Sequence, residues 1–114
     1  MEKCLVRAMI AVFAALVLCS VSGATGNEYD QGKNLYEQKC QICHGANGKG
    51  DGPAAAAFSH TPANFTDAKF WKDNPDKKIE STIRKGKGDM PAFSLNHDEI
   101  QDVIDYLTHA FEKK

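Results

Sequence analysis

The sequence predicts a small all-α domain, and three observations carry that expectation. Apolar residues recur at helical spacing, most clearly Ile100, Val103, Ile104, Leu107 and Phe111 near the C-terminus. No stretch shows the alternation of apolar and polar residues that marks a half-buried strand. Segments dense in glycine and proline, GANGKGDGP from Gly45 and KGKGDMP from Lys85, separate the periodic stretches and cannot continue a helix.

At 114 residues the chain has room for one domain, and its beginning does not read as part of it. Lys3 and Arg7 precede an apolar run from Ala8 to Leu18, followed by the small residues Ser20, Ser22, Gly23 and Ala24. This is the pattern of a secretory signal peptide spanning 1–24, with Ser22 and Ala24 at the minus-3 and minus-1 positions of a cut after Ala24. The alternative is a retained membrane anchor, against which the run is short, since a spanning helix needs roughly 20 apolar residues. Lipid attachment at Cys19 is a further alternative, although the bulky Leu18 stands where that processing takes a small residue.

Residues 25–29 read as a short linker and 30–114 as the domain. Asp30 to Lys39 is expected to form the first helix, with Leu35 and Tyr36 on its inward side and Lys33, Asn34, Glu37 and Gln38 solvated. Gly32 is costly there, because glycine within a helix loses about 1 kcal/mol against alanine. It marks either a place where another backbone comes close or fraying near the helix start.

The stretch CQICH, Cys40 to His44, follows that helix. Two thiols three positions apart, with an imidazole next, match the attachment signature of c-type haem, in which the cysteines bond the porphyrin and the histidine takes the iron. Residues i and i+3 share a helical face, so both sulfurs can reach one haem edge while the next ring points at the metal. Cys4 and Cys19 belong to the leader, so Cys40 and Cys43 are the pair left in the domain. An exported domain could instead close such a pair as a disulfide; the adjacent His44 favours thioether attachment. The motif occurs once, which predicts one haem.

A small domain buries a limited core and commonly needs a staple or prosthetic group, which a covalent haem would supply. Without Lys3, Arg7 and Glu2 the chain carries 12 basic and 14 acidic side chains. Two ionised haem propionates would bring the net charge to about −4. A mildly acidic domain is not a nucleic-acid binder.

Four glycines between Gly45 and Gly52 predict a loop that wraps closely around something. It is not a phosphate-cradling loop, for no strand precedes it and the Gly-Lys-Ser/Thr ending is missing. In PANFTDAKFW, from Pro62 to Trp71, a short helix is expected after Thr66 as N-cap, beside Asp67. Asn74 is expected to cap the next helix, with Pro75 at its first position, Ile79 and Ile83 on one face and Gly86 at its exit. Asn96 and Glu99 form a capping-box pattern for the last helix.

An electron-carrying haem iron usually has both axial positions filled by the protein. His60, His97, His109, Met90 and the lysines are the available second ligands, Met1 and Met9 falling in the leader. Met90 is favoured because it lies in a glycine-flanked loop before Pro91, outside any helical core stripe. The histidines read as surface residues, His97 and His109 on the polar side of the last helix.

With CQICH near its start, GKGDGPA after it, and GDMPAF ahead of a last helix containing DYL, the chain resembles class I (His/Met) cytochrome c. It is most similar to short bacterial monohaem members related to cytochrome domains of terminal oxidase complexes. The likeness spans residues 30 to 112, and it implies three to five helices wrapped around one covalently bound haem c. It implies that Pro53 accepts a hydrogen bond from His44 and that Gly32 and Tyr36 pack against Tyr106. Trp71 and Arg84 are expected at the haem propionates, with Asn64 and Phe65 lining the pocket.

The function implied is electron transport in the periplasm by a monomer that is not an enzyme. His44 and Met90 hold the iron, with redox proteins as partners and the cytochrome c maturation machinery installing the haem. A membrane-anchored form facing the periplasm is the alternative location. The electron is expected to leave by the haem edge near Lys39, Gln41 and Ile42, with Lys85 and Lys87 added, set against acidic residues of the last helix. A peroxidase-like enzyme or gas sensor is the rival class and would need an iron position that opens. A zinc module is a third, and would need four ligands at suitable spacing.

Overall fold

In the computed structural model residues 25–113 are described, so the expected leader and Cys19 lie outside the described residues. Five α-helices follow in order: α1 Thr25–Lys39, α2 Gln41–His44, α3 Ala68–Asp73, α4 Asp76–Lys85 and α5 His97–Phe111. A single 3₁₀ turn, Ala55–Ala57, lies between α2 and α3. The described residues contain no strand, only an isolated bridge between Lys87 and Met90. The all-α expectation therefore holds.

Three boundaries differ from the sequence reading. The segment 25–29 is not a linker but the first turns of α1. Its Tyr29 packs on Tyr106 and His109 of α5, with ring centroids 5.4 and 6.2 Å apart, and that anchoring continues the helix. The α3 cap is Asp67, whose carboxylate accepts the Lys69 amide at 2.9 Å. Thr66 instead donates from both its amide and its hydroxyl to Asn64 Oδ1. Pro75, rather than Asn74, is the N-cap of α4; the Asn74 side chain turns back to donate to the Phe70 carbonyl at 2.7 Å.

Other signals read as expected. The Asn96 side chain accepts the Glu99 amide and the Glu99 side chain accepts the Asn96 amide, each at 2.9 Å, closing a capping box on α5. Gly86 ends α4 at φ 74°, and its backbone lies so close to that of Met90 that a Cβ would stand 2.6 Å from the Met90 carbonyl oxygen.

The core forms where α5 crosses α1. Tyr36 and Ile100 are fully buried, with Val103, Ile104, Tyr106, Leu107 and Phe111 from α5, Ile79 and Ile83 from α4, and Phe65 from the loop before α3. Each such aliphatic side chain contributes roughly 1.5–3 kcal/mol by leaving water. Gly32 is the crossing point: a Cβ there would overlap the Asp102 carbonyl of α5 and stand 3.0 Å from the Tyr106 Cβ. The close-approach reading of this glycine is the one the fold adopts.

Candidate haem site

The α2 turn begins one residue after α1 ends, and the helical hydrogen bonds run on through the junction. The amides of Cys43 and His44 both bond to the Cys40 carbonyl, at 3.1 and 2.9 Å. Cys40 and Cys43 are therefore one turn apart, and both are free thiols, half-buried, with no disulfide between them. Burial, followed by the neighbouring Cys43, pushes the Cys40 thiol up to about 11 while Lys39 pulls the other way.

His44 is half-buried, and its Nδ1 lies 3.1 Å from the Ala63 carbonyl oxygen. A carbonyl can only accept, so Nδ1 carries the proton and the lone pair resides on Nε2. Burial lowers the pKa of the imidazole and the Ala63 bond opposes this, a balance that favours the neutral ring. The acceptor expected at this nitrogen was Pro53. That residue is instead exposed just ahead of the 3₁₀ turn; the glycine loop meets only the His44 backbone, the Gly50 amide donating to its carbonyl at 2.8 Å, and the ring's partner comes from the PANF segment.

That segment is fixed on several sides. The Phe65 amide donates to the Gly48 carbonyl at 2.7 Å, and the Phe65 carbonyl accepts the Trp71 indole N–H at 2.7 Å. The Phe65 ring stacks on the His44 ring, centroids 4.6 Å apart and planes 20° off parallel. Trp71 was expected to give its N–H to a haem propionate; here that donor is committed to backbone. Arg84, the other expected propionate partner, reaches Glu80 within its own helix at 2.9 Å and is exposed. Asn64 lies on the surface and is engaged with Thr66.

The glycine loop is drawn in closely around α2. Gly45, Gly48 and Gly50 have φ of 86°, 67° and 77°, and a Cβ on Gly52 would collide with the Ile42 carbonyl. Tyr36 completes the enclosure, its hydroxyl donating to the Gly45 carbonyl at 2.6 Å beneath the core. Burial pushes the pKa of that hydroxyl further up from its ordinary value. Sequence reasoning missed this bond and the Ala63 acceptor. The reason is the same for both, since a backbone carbonyl leaves no side-chain signal.

Met90 is half-buried and packs against the core from the loop after α4. It closes a tight turn with Lys87, each amide donating to the other residue's carbonyl at 3.0 Å. Gly88 at φ 57° stands at the first central position of that turn, as a type II′ turn requires. His60, His97 and His109 are exposed, with His97 Nδ1 3.1 Å from Glu80 and His109 Nδ1 2.8 Å from the Asp105 carbonyl. The donor set fits a c-type haem: two unpaired thiols one turn apart, an imidazole with one nitrogen oriented and the other free, and a half-buried thioether outside the helices.

Residues 27–107 match the family described as cytochrome c oxidase, cbb3-type, subunit III. The chain belongs to this family of c-type cytochrome domains. The cytochrome is also 31% identical over 108 residues to a cytochrome c6 of Gloeothece citriformis, covering 90% of the present chain and 93% of that protein. A cytochrome c6 of Euglena gracilis is 34% identical over 79 residues, 67% of this chain and 85% of its own. A thiosulfate dehydrogenase of Psychrobacter arcticus is 32% identical over 83 residues; the match takes in 70% of this chain but only 25% of that larger protein. Among solved structures, a chain of the reducing HAO-like protein complex of Kuenenia stuttgartiensis superposes with a TM-score of 0.57 at 26% identity. That match covers 70% of this cytochrome and 41% of that chain. These likenesses identify a class I c-type cytochrome, as the motifs implied.

Proposed function

We propose that this cytochrome is an exported single-electron carrier with one haem c attached through Cys40 and Cys43 and its iron held between His44 and Met90. The observation that carries the reading is the commitment of His44 Nδ1 to Ala63, which leaves Nε2 free on the residue that follows Cys43 and stands four positions after Cys40, both unpaired thiols. A bound haem would supply the ferric/ferrous couple. The protein's part is to keep its ligands still as the charge changes. The Ala63 bond orients the imidazole, the Phe65 ring packs on it, and the Lys87–Met90 turn presents a thioether that favours reduced iron relative to a second imidazole. Near coextension with a cytochrome c6 supports the carrier role. The residue pattern of 1–24 supports export to the periplasm, where maturation machinery would install the haem and unnamed redox proteins would serve as donor and acceptor. None of the described helices is long and apolar enough to cross a membrane.

The test is Met90→Ala in protein matured with haem. The variant is expected to lose the ferric sulfur-to-iron absorption band and to fall in reduction potential; an unchanged band and potential would remove Met90 from the iron. The likeness to a thiosulfate dehydrogenase favours a second reading, in which the domain serves an enzyme. Carbon monoxide separates the two. Rapid binding to the reduced protein indicates an iron that opens to substrate, and negligible binding indicates the carrier.

A further inference from the structure

The loop that carries Met90 is tied down at one point by a side chain from outside the turn's own hydrogen bonds. Asp89 Oδ2 accepts the backbone amides of Ser59 at 2.9 Å and His60 at 3.3 Å, residues about thirty positions earlier in the chain. The His60 imidazole stands 3.9 Å from the same oxygen and is almost wholly exposed. The side chain of Asp89 is about a third exposed. Asp89 is therefore fixed between Met90 and the segment leading to Pro62 and Ala63, whose carbonyl orients His44. One carboxylate oxygen thus joins the loop that carries Met90 to the loop whose Ala63 carbonyl orients His44. Amide-to-carboxylate bonds are charge-assisted and stronger than neutral ones. The rest of the loop is held by the Gly86 amide on the Thr82 carbonyl at 2.8 Å, the Lys87–Met90 pair, and the Phe93 amide on the Ile83 carbonyl at 2.9 Å.

We propose that Asp89 is a positioning residue for the sixth ligand: by clamping the Met90 loop to Ser59 and His60, it sets how readily an external ligand displaces the Met90 thioether. This rests on Met90 as the sixth ligand. With the clamp open, the turn would be held by its own Lys87–Met90 pair and by the Phe93 amide, and exchange of the thioether for imidazole on a bound haem would involve no change of oxidation state.

The experiment compares matured wild type, Asp89→Ala, Asp89→Asn and Met90→Ala in the ferric form. Its readouts are the saturating rate of imidazole binding by stopped flow and amide exchange by NMR. In Asp89→Ala the saturating rate should rise about tenfold, the scale of losing modest charge-assisted hydrogen bonds at a partly exposed site. Asp89→Asn, which keeps an acceptor oxygen but loses the charge, should rise less. Both should retain the sulfur-to-iron band when imidazole is absent. Amides of Ser59 and His60 should exchange faster in Asp89→Ala, while those of α5 stay unchanged. A rate within twofold of wild type overturns the proposal, and so does a rise accompanied by equal loosening of α5. Should Asp89→Ala fail to take up haem, Asp89→Asn decides alone, an unchanged rate counting against the clamp. If Met90→Ala matches wild type in band and rate, the ligand reading itself fails and takes the clamp with it. A Met90-dependent band with unaltered Asp89 kinetics sinks the clamp alone.

Discussion

Trp71 shows how a residue's type and its role come apart. Its single N–H is a donor that a half-buried position must satisfy, and it does so on the Phe65 carbonyl at 2.7 Å. Phe65 in turn stacks on His44, so the indole acts on the proximal side of the site through backbone and ring. Trp71→Phe should therefore cost about 1 kcal/mol in stability, the net worth of a typical hydrogen bond. Haem attachment should persist, and a denaturant midpoint measured with the thioethers intact would check this. A loss no larger than that of an exposed aromatic would mean that the Phe65 carbonyl finds water instead. The site residues were legible to differing degrees. Cys40, Cys43 and His44 stand out in the sequence by their spacing, and Met90 stands out as a candidate by lying in a glycine-flanked loop outside any helical core stripe. The acceptor for His44 was not legible, because any residue can supply a carbonyl and only the path of the chain selects Ala63 over Pro53.

At the scale of elements, the α1–α5 crossing is the joint on which the fold depends. Gly32 is buried against the Asp102 carbonyl and Tyr106, so an added methyl group has nowhere to go without moving backbone. Gly32→Ala should destabilise by roughly 1–3 kcal/mol, the usual cost of overpacking, despite its better helix propensity. Gly26, in the same helix with nothing within 4 Å of an added Cβ, supplies the contrast. Gly26→Ala should be neutral or gain up to about 1 kcal/mol. Thermal midpoints of the two variants check the pair, and equal shifts would mean the crossing yields. The capping box of α5 was readable from Asn96 and Glu99 because both halves of it are local. The start of α1 was not, since its early turns rest on Tyr29 meeting Tyr106, a contact between residues far apart in the chain.

For the whole molecule, charge is the quantity that extends beyond any one element. Lys39, Lys85 and Lys87 are exposed, and the α5 carboxylates Asp98 and Asp105 are exposed as well. A redox partner with an acidic docking surface would be steered by such lysines, and screening sets in over about 8–10 Å at ordinary salt. The bimolecular electron-transfer rate with an acidic partner protein should therefore fall as ionic strength rises. Lys39→Ala, Lys85→Ala and Lys87→Ala together should flatten the dependence. A rate indifferent to salt would show that these side chains are merely solvated.

The sequence by itself determined the helical class, the haem-binding chemistry and the helix ends at Lys39, Gly86 and Asn96. Periodicity, caps and attachment spacing act over a few residues, and their physics is complete within them. Tertiary structure decided which carbonyl orients His44, where Trp71 and Arg84 spend their donors, and how Asp89 ties two loops together. Those outcomes depend on segments separated along the chain meeting in space, where hydrogen-bond donors and acceptors must find partners as the core closes. CQICH announced the cofactor without help from the fold; the setting of its histidine was settled only when PANF folded back against it.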